Sequence, residues 1–348
     1  MKHDKNLVVE TSLNLPDVTF YDVKEGPFVV KGIYEGAENY ERMPKNVAEQ
    51  VSEGVAYLSK DSAGGRILFK TNSPYIAIKT KQNQTEVIPH MTVIGVRGFD
   101  IFERTEEKTV MRGVLIPPYD ATEGYEAVHH FEGEKEREII IHMPAYSAPL
   151  EILIGLKKGS TLKEGMEYKH KTPVVFYGSS ITQGCSAAIP GNVYSNIIAR
   201  HLDTDIVNLG FSGSARGEEV MAKYIRELPM SVFVMDYNHN AYPYTELRDT
   251  HEKFFKIFRE KRPDVPVVFV SRPDYDRDIP DAMLREEIIN TTYQNALQNG
   301  DKNVYFIPGK TLFPDEYRES MLIDMCHPTD AGMVAMAKRI GDVLRKLI

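Results

Sequence analysis

A chain of 348 residues with 42 Lys and Arg against 50 Asp and Glu carries a formal net charge of -8, which excludes the basic surface that nucleic-acid binders use to replace phosphate counterions. Hydrophobic residues at 42% and charged residues at 26% exclude the disordered and fibrous classes and place the chain among soluble globular proteins. The length exceeds what one ordinary hydrophobic core serves and predicts two domains.

The first residues, MKHDKNLVVETSLNLP, carry two lysines, but Glu10, Ser12 and Asn14 interrupt the apolar residues, so no signal-peptide core is expected. No later run approaches the roughly 18 apolar residues of a membrane span. The expectation is a cytoplasmic chain with no membrane partner. Two cysteines, Cys185 and Cys326, do not make a disulfide framework, and two free thiols in a reducing compartment are expected.

From about Val18 to Gly155 the chain reads as short apolar or alternating runs: VTFYDV, PFVVKGI, VAYLS, RILFKT, YIAIKT, MTVIGV, FDIFE, REIIIHM and LEILIG. Turn-rich separators and a spacing of about 8 to 12 residues predict antiparallel strands in a β-sandwich or jelly roll, here residues 1–165. His129 and His130 fall in such a run, where adjacent side chains face opposite ways and cannot share one metal.

The charged stretch from Leu156 to Pro173 lacks apolar periodicity and predicts a domain boundary. Buried-type strands then alternate with helical patterns: VVFYG, NVYSNIIARHL, DIVNLGF, GEEVMAKYIREL, SVFVMDYN, YTELRDTHEKFFKIFREK, VPVVFVSRP, REEIINTTYQNALQ, VYFIPG and DAGMVAMAKRIGDVLRKL. Such βα units predict a parallel, doubly wound α/β sheet over residues 170–348. Ligands of these sheets sit beyond the carboxyl ends of the strands, where strand order reverses.

The first of those ends reads Gly178-Ser179-Ser180-Ile181-Thr182-Gln183-Gly184. A serine on a strand-to-helix turn can expose its hydroxyl above the sheet, although serine there also serves as an ordinary N-cap. Near the carboxyl end lies Asp324-Met325-Cys326-His327-Pro328. A carboxylate three residues before a histidine can turn back to hold Nδ1–H and aim Nε2 at a nucleophile; alone, the pair also reads as a loop salt bridge. Between them, Asn208-Leu209-Gly210-Phe211-Ser212-Gly213 and Asp236-Tyr237-Asn238-His239 offer hydrogen-bond donors at two more strand ends. A glycine N–H and an asparagine amide there can hold an oxyanion, or simply make turns. Cys185 needs a base of its own to act as nucleophile, and Ser180 fits the turn better. His239, Asn240, Tyr242 and Tyr244 follow as mouth-lining or ordinary solvated loop residues. Arg216, Glu218 and Glu219 open a helix, where the acids suit the dipole.

These four stretches, in this order, resemble the motif blocks of the SGNH (GDSL) hydrolase superfamily from Pro173 onward. The first half resembles the β-sandwich of one subgroup, with Gly98-Phe99-Asp100-Ile101-Phe102 similar to its Gly-x-Asp-Leu-Tyr signature. The resemblance implies a flavodoxin-like hydrolase domain with Ser180 as nucleophile, His327 as base and Asp324 orienting it. The N–H of Ser180, Gly213 and Asn238 would form the oxyanion hole. Ser179 stands where the motif usually has Asp, Asp236 where the third block has Gly, and His239 where it has a second Asp.

The expected activity is hydrolysis of a short-chain acyl ester, acetyl on a carbohydrate in first place, through an acyl-enzyme. No cofactor and no metal are expected, and the partner is a small-molecule or saccharide ester. Two alternatives stand beside it: an O-acyltransferase using the same triad, and a glycan-binding protein with a degenerate hydrolase half. Exposed sheet edges also make a homo-oligomer one way to cover them.

Overall fold

The computed structural model describes residues 11–83 and 87–348. Residues 1–10 of the segment read above for a signal peptide lie outside the described residues. The first half runs β1 (Val18–Asp22), β2 (Val29–Lys31), α1 (Lys45–Val51), α2 (Glu53–Leu58), β3 (Arg66–Thr71), β4 (Tyr75–Gln82), α3 (Val93–Arg97), β5 (Phe99–Arg104), β6 (Thr109–Leu115), β7 (Gly124–His130), β8 (Arg137–His142), β9 (Pro149–Lys157) and β10 (Leu162–Glu164). Its strands form two antiparallel sheets, β1-β9-β4-β7 and β10-β3-β8-β5-β6, with β2 also on β3.

Alternation along the strands builds the core between these sheets. Ile67 and Phe69 of β3, Ile139 and Ile141 of β8, and Ile152 and Ile154 of β9 meet there. The intervening Leu68, Phe102 and Ile140 join Tyr168 and Ile189 in a second cluster on the other side. The second sheet is thus covered on both faces, which explains why RILFKT and REIIIHM read as unbroken apolar runs.

The second half runs β11 (His170–Gly178), α4 (Ser180–Gln183), α5 (Tyr194–Leu202), β12 (Thr204–Gly210), α6 (Glu219–Ile225), β13 (Val232–Asp236), α7 (Tyr244–Lys261), β14 (Val267–Val270), α8 (Ile279–Gln298), β15 (Val304–Ile307) and α9 (Asp330–Leu344). All its strand pairs are parallel, in the order β12-β11-β13-β14-β15. Val174 and Phe176 face α5 and α9, whereas Val175 and Tyr177 face α6 and α7. The sheet is therefore doubly wound, and its switch point lies at β11, between β12 and β13.

Two expected strands are helices. VAYLS falls in α2, where the Ser52 hydroxyl caps the helix by accepting from Val55 N at 3.1 Å. MTVIGV falls in α3, capped by Thr92, which accepts from Gly95 N at 2.8 Å. In both, an N-cap outweighs the strand-like look of a short apolar run. The charged stretch after Leu156 is not a bare linker, since β10 pairs with β3 and Tyr168 is buried. Among the described residues no strand pairs across the two halves.

Buried polar contacts join the halves. The Arg66 guanidinium, with no exposed side chain, reaches Asp205 Oδ1 and the Ile206 carbonyl, both at 2.8 Å. Arg42 donates to the carbonyls of Asn208 at 3.1 Å and Gly210 at 2.6 Å. Asp100 takes the His142 ring at 2.6 Å on one oxygen and Gly191 N at 2.5 Å on the other. Burying such groups is costly unless they are paired; Arg66 Nε and Nη1 find no hydrogen-bond partner, but the guanidinium lies over the Tyr168 ring, 5.2 Å from its centroid. No described helix is long and apolar enough to cross a membrane.

Candidate active site

The site grows from three strands that end in register. Gly178 lies opposite Gly210 on one side and Asp236 on the other. The close approach demands glycine at two of these ends. A Cβ on Gly178 would stand 2.0 Å from Thr182 Oγ1, and one on Gly210 would stand 2.1 Å from Gln183 N, so only Gly lets the backbone turn here. Helix α4 then begins at Ser180, capped by Ser179, whose hydroxyl accepts from Ile181 N at 3.2 Å. Asn208 secures that turn by donating to the Thr182 carbonyl at 2.6 Å. Gln183 secures it from the other side, accepting from Ser212 N at 2.9 Å and donating to Asp61 at 3.0 Å.

The loop before α9 comes back over this edge. Leu322 bridges to Pro328, Ile323 N donates to the His327 carbonyl at 3.0 Å, and Thr329 N to that of Met321 at 2.9 Å. Met325 takes a left-handed φ of 68° at its tip. Asp324 Oδ1 accepts from the backbone N–H of Cys326 at 3.1 Å and of His327 at 2.7 Å. Its Oδ2 stands 2.6 Å from His327 Nδ1, and His327 Nε2 stands 2.8 Å from Ser180 Oγ. Burial alone would raise the Asp324 carboxyl, but the backbone and ring N–H of His327 and the N–H of Cys326 hold it below the usual carboxylate range. An ionised Asp324 fixes the proton on Nδ1 and leaves Nε2 free to accept from the serine hydroxyl.

The two donor loops lie beside the serine turn. Gly213 has a left-handed φ of +68°, with open space where a Cβ would stand. Asn238 is 1% exposed, yet neither Oδ1 nor Nδ2 has a hydrogen-bond partner. Buried amides are almost always paired, so an orphan at this edge suits a ligand oxygen. Its backbone carbonyl is held by Arg285 at 2.9 Å, which also takes that of Ala241 at 2.8 Å.

Beneath the site, Asp236 is fully buried between the hydroxyls of Thr182 at 3.1 Å and Tyr194 at 3.0 Å. Burial pushes its carboxyl up to about 7 against the pull of those two bonds. His239 pairs with Asp274 at 2.8 Å. Despite burial, that ring and the Arg272 guanidinium hold Asp274 well below the usual range. Asn240 donates to the Phe211 carbonyl at 2.8 Å, so of the four expected mouth residues only Tyr242 and Tyr244 are exposed. Glu218 and Glu219 do open α6, as expected.

Several residues here carried no signal in the sequence. His90, from the loop before α3, lies against His327 with ring centroids 5.1 Å apart and planes 19° from parallel. Its Nε2 is 3.2 Å from Cys185 Sγ. Tyr146 donates to the Ser180 carbonyl at 3.3 Å. These residues come from the first half, where nothing in the local pattern marks them. Both cysteines are free. Burial pushes the Cys185 thiol up to about 11, far from the thiolate that a cysteine nucleophile needs. A large open hollow of about 620 Å³ lies elsewhere, on the sandwich around Lys79, Pro118 and Glu126.

Comparison with known proteins bears on the family and the fold. Residues 171–345 match the GDSL-like lipase/acylhydrolase family, and residues 18–162 match the N-terminus of Esterase_SGNH_hydro-type. Among solved structures, a protein described as a GDSL-like lipase from Bacteroides ovatus is 26% identical with a TM-score of 0.85, covering 95% of this chain and 98% of its own. The salicylyl-acyltransferase SsfX3 of a tetracycline biosynthetic pathway is 19% identical with a TM-score of 0.75, covering 94% and 98%. An acetyl xylan esterase, Est2A, from the rumen bacterium Butyrivibrio proteoclasticus is 13% identical with a TM-score of 0.58, covering 94% and 98%. The last two likenesses concern the fold alone. Curated proteins compared by sequence gave no match. With the two family models covering both halves, the chain belongs to the GDSL-like lipase/acylhydrolase family and is an ester hydrolase of the SGNH type.

Proposed function

We propose that this esterase removes short acyl groups, acetyl in first place, from an O-acylated carbohydrate, with Ser180 as nucleophile, His327 as base and Asp324 orienting it. The observation that carries the reading is the unbroken line from Asp324 through His327 to Ser180, at 2.6 and 2.8 Å. As Ser180 Oγ bonds to the ester carbon, His327 Nε2 takes its proton. The carbonyl oxygen becomes an oxyanion, held by the N–H of Ser180, the N–H of Gly213 and the idle amide of Asn238. Collapse breaks the bond to the alcohol, which leaves with the proton from Nε2. Water then attacks the acyl-serine, giving its proton to Nε2, and the acid departs as Ser180 recovers its hydrogen.

Two observations support a sugar ester. A fold neighbour is an acetyl xylan esterase, and Tyr242, on the loop that follows Asn238, is 71% exposed. An exposed phenol ring is a flat apolar face on which a pyranose can stack, and the chain has 19 Tyr but no Trp.

The test compares p-nitrophenyl acetate, butyrate and octanoate, then acetate release from acetylated sugars, with wild type and Ser180→Ala. The expected outcome is fastest turnover on acetate, lost in the variant. Equal turnover by Ser180→Ala overturns the serine assignment, and a preference for octanoate overturns the short-acyl one.

A further inference from the structure

We propose that His90, Cys185 and His327 bind a thiophilic divalent cation, Zn²⁺ in first place, and that binding withdraws His327 from the ester chemistry. The proposal rests on the reading of His327 as the base. Each of the three residues offers one ligand atom, and these atoms all lie within 4.8 Å of one another. The tightest pair, His90 Nε2 and Cys185 Sγ, is 3.2 Å apart. A tetrahedral zinc with bonds of about 2.0 Å to nitrogen and 2.3 Å to sulfur needs ligand atoms roughly 3.3–3.6 Å apart. The pair already stands close to that spacing, and the third ligand has a short distance to travel.

The surroundings suit a cation. His327 Nδ1 is engaged by Asp324 at 2.6 Å, the carboxylate–histidine arrangement that orients an imidazole toward a metal on its other nitrogen. Asp324 Oδ2 lies 4.0 Å from His90 Nε2, so a carboxylate charge faces the cluster. Cys185 is buried, whereas the His90 and His327 side chains are 32% and 18% exposed, which leaves a way in. The site is split between the halves of the chain, His90 coming from the first.

A second donor set, His239, Asp274 and Cys326, does not carry the same argument. Arg272 already occupies both oxygens of Asp274, at 3.0 and 2.5 Å. A cation there would have to displace a guanidinium.

Binding is acid–base chemistry with no change of oxidation state. Cys185 releases its thiol proton to solvent, and its sulfur and the two imidazole nitrogens donate lone pairs to Zn²⁺, with water in the fourth position. His327 Nε2 then has no lone pair for the Ser180 hydroxyl. Hydrolysis stops while the folded chain stays intact, and a chelator restores it.

The experiment uses the full chain freed of metal. Zn²⁺ titrated against a chromophoric chelator should show one tight equivalent, and His90→Ala and Cys185→Ser should each weaken it by more than the roughly 10–100-fold typical of losing an outer-shell partner. Cys326→Ser leaves Cys185 as the only thiol, and with Co²⁺ it should show thiolate-to-cobalt charge-transfer absorption. This arm leaves Cys185 untouched, so it stands even where Cys185→Ser fails to fold. Wild-type turnover of p-nitrophenyl acetate should fall about tenfold or more at saturating Zn²⁺ and return with EDTA, since removing a base costs at least that much. Ser180→Ala should bind Zn²⁺ like wild type, which separates failure of this site from failure of the esterase reading. Co²⁺ binding to Cys326→Ser without the thiolate band overturns the proposal. So does unweakened Zn²⁺ binding by folded Cys185→Ser, or one bound equivalent that leaves turnover unchanged.

Discussion

Asn238→Ala separates a catalytic amide from a structural one, because the resting fold makes no use of the Asn238 side chain. Both polar atoms are buried and unpartnered, so truncation breaks no hydrogen bond. It removes an unpaired polar group, whose desolvation costs about 1–3 kcal/mol, and loses some packing, which acts the other way. The expected change in stability is near zero. Turnover should behave differently: losing one oxyanion donor typically costs about 10²–10³ in kcat, or roughly 2.7–4 kcal/mol. The assay measures kcat on p-nitrophenyl acetate beside urea unfolding followed by circular dichroism. Arg285→Ala is the control, since its guanidinium holds the carbonyls of Asn238 and Ala241 and pairs with Asp281 at 2.5 Å. That variant should lose both activity and about 1–3 kcal/mol of stability, because it leaves two buried carbonyls without their donor. Asn238→Ala turning over within about threefold of wild type refutes the oxyanion assignment, since a true donor is worth far more.

Asp324→Asn keeps an acceptor for the two backbone N–H groups but puts an amide opposite His327 Nδ1, so the ring should flip its tautomer; kcat should fall by up to about 10⁴ with little change in KM. Tyr242→Ala should raise KM for an acetylated sugar several-fold, in line with about 1 kcal/mol of stacking, while p-nitrophenyl acetate, which carries no sugar, responds less. Asp236→Asn tests the buried carboxyl. Because folding raises it from 3.8 to about 7, the folded chain holds this proton over a range where the unfolded chain has lost it, and stability falls as pH rises from about 4 to 7 by as much as roughly 4 kcal/mol. The Asn variant should flatten that fall in urea unfolding, and parallel profiles would count against the shifted carboxyl.

The parallel half was legible because each βα unit announces itself locally, through a buried strand followed by an amphipathic helix. The switch-point rule then placed the loops after Gly178, Gly210 and Asp236 at one edge, where they lie. The sandwich was legible as strands, but α2 and α3 were not, since Ser52 and Thr92 decide them through single capping bonds. β6 and β7 escaped the strand reading, apart from the expectation for His129 and His130, which sit side by side at the end of β7. Least legible were contacts between residues distant in sequence. His90 on His327 and Arg285 under Asn238 depend on how whole elements pack, and no local pattern encodes that.

Those distant contacts change how the first half should be regarded. Asp100, in the stretch resembling the subgroup signature, and His142 are both fully buried, and Asp100 also fixes Gly191 N. The same loop continues the line: Ala188 N and Asn192 Nδ2 each donate to Asp330 at 2.9 Å. Asp330 opens α9, directly behind the His327 loop. A route of bonded groups thus runs from the sandwich to the histidine, while His90 reaches the same ring from the front. Detached from its partner, either half would expose or strand charges such as Arg66, Asp205 and Asp100 that are now paired across the seam, at a cost of several kcal/mol per uncompensated group. A separately evolved binding module would need few such contacts. Their burial, with His90 against the His327 ring and Tyr146 on the Ser180 carbonyl, sets residues of the first half directly against the candidate site.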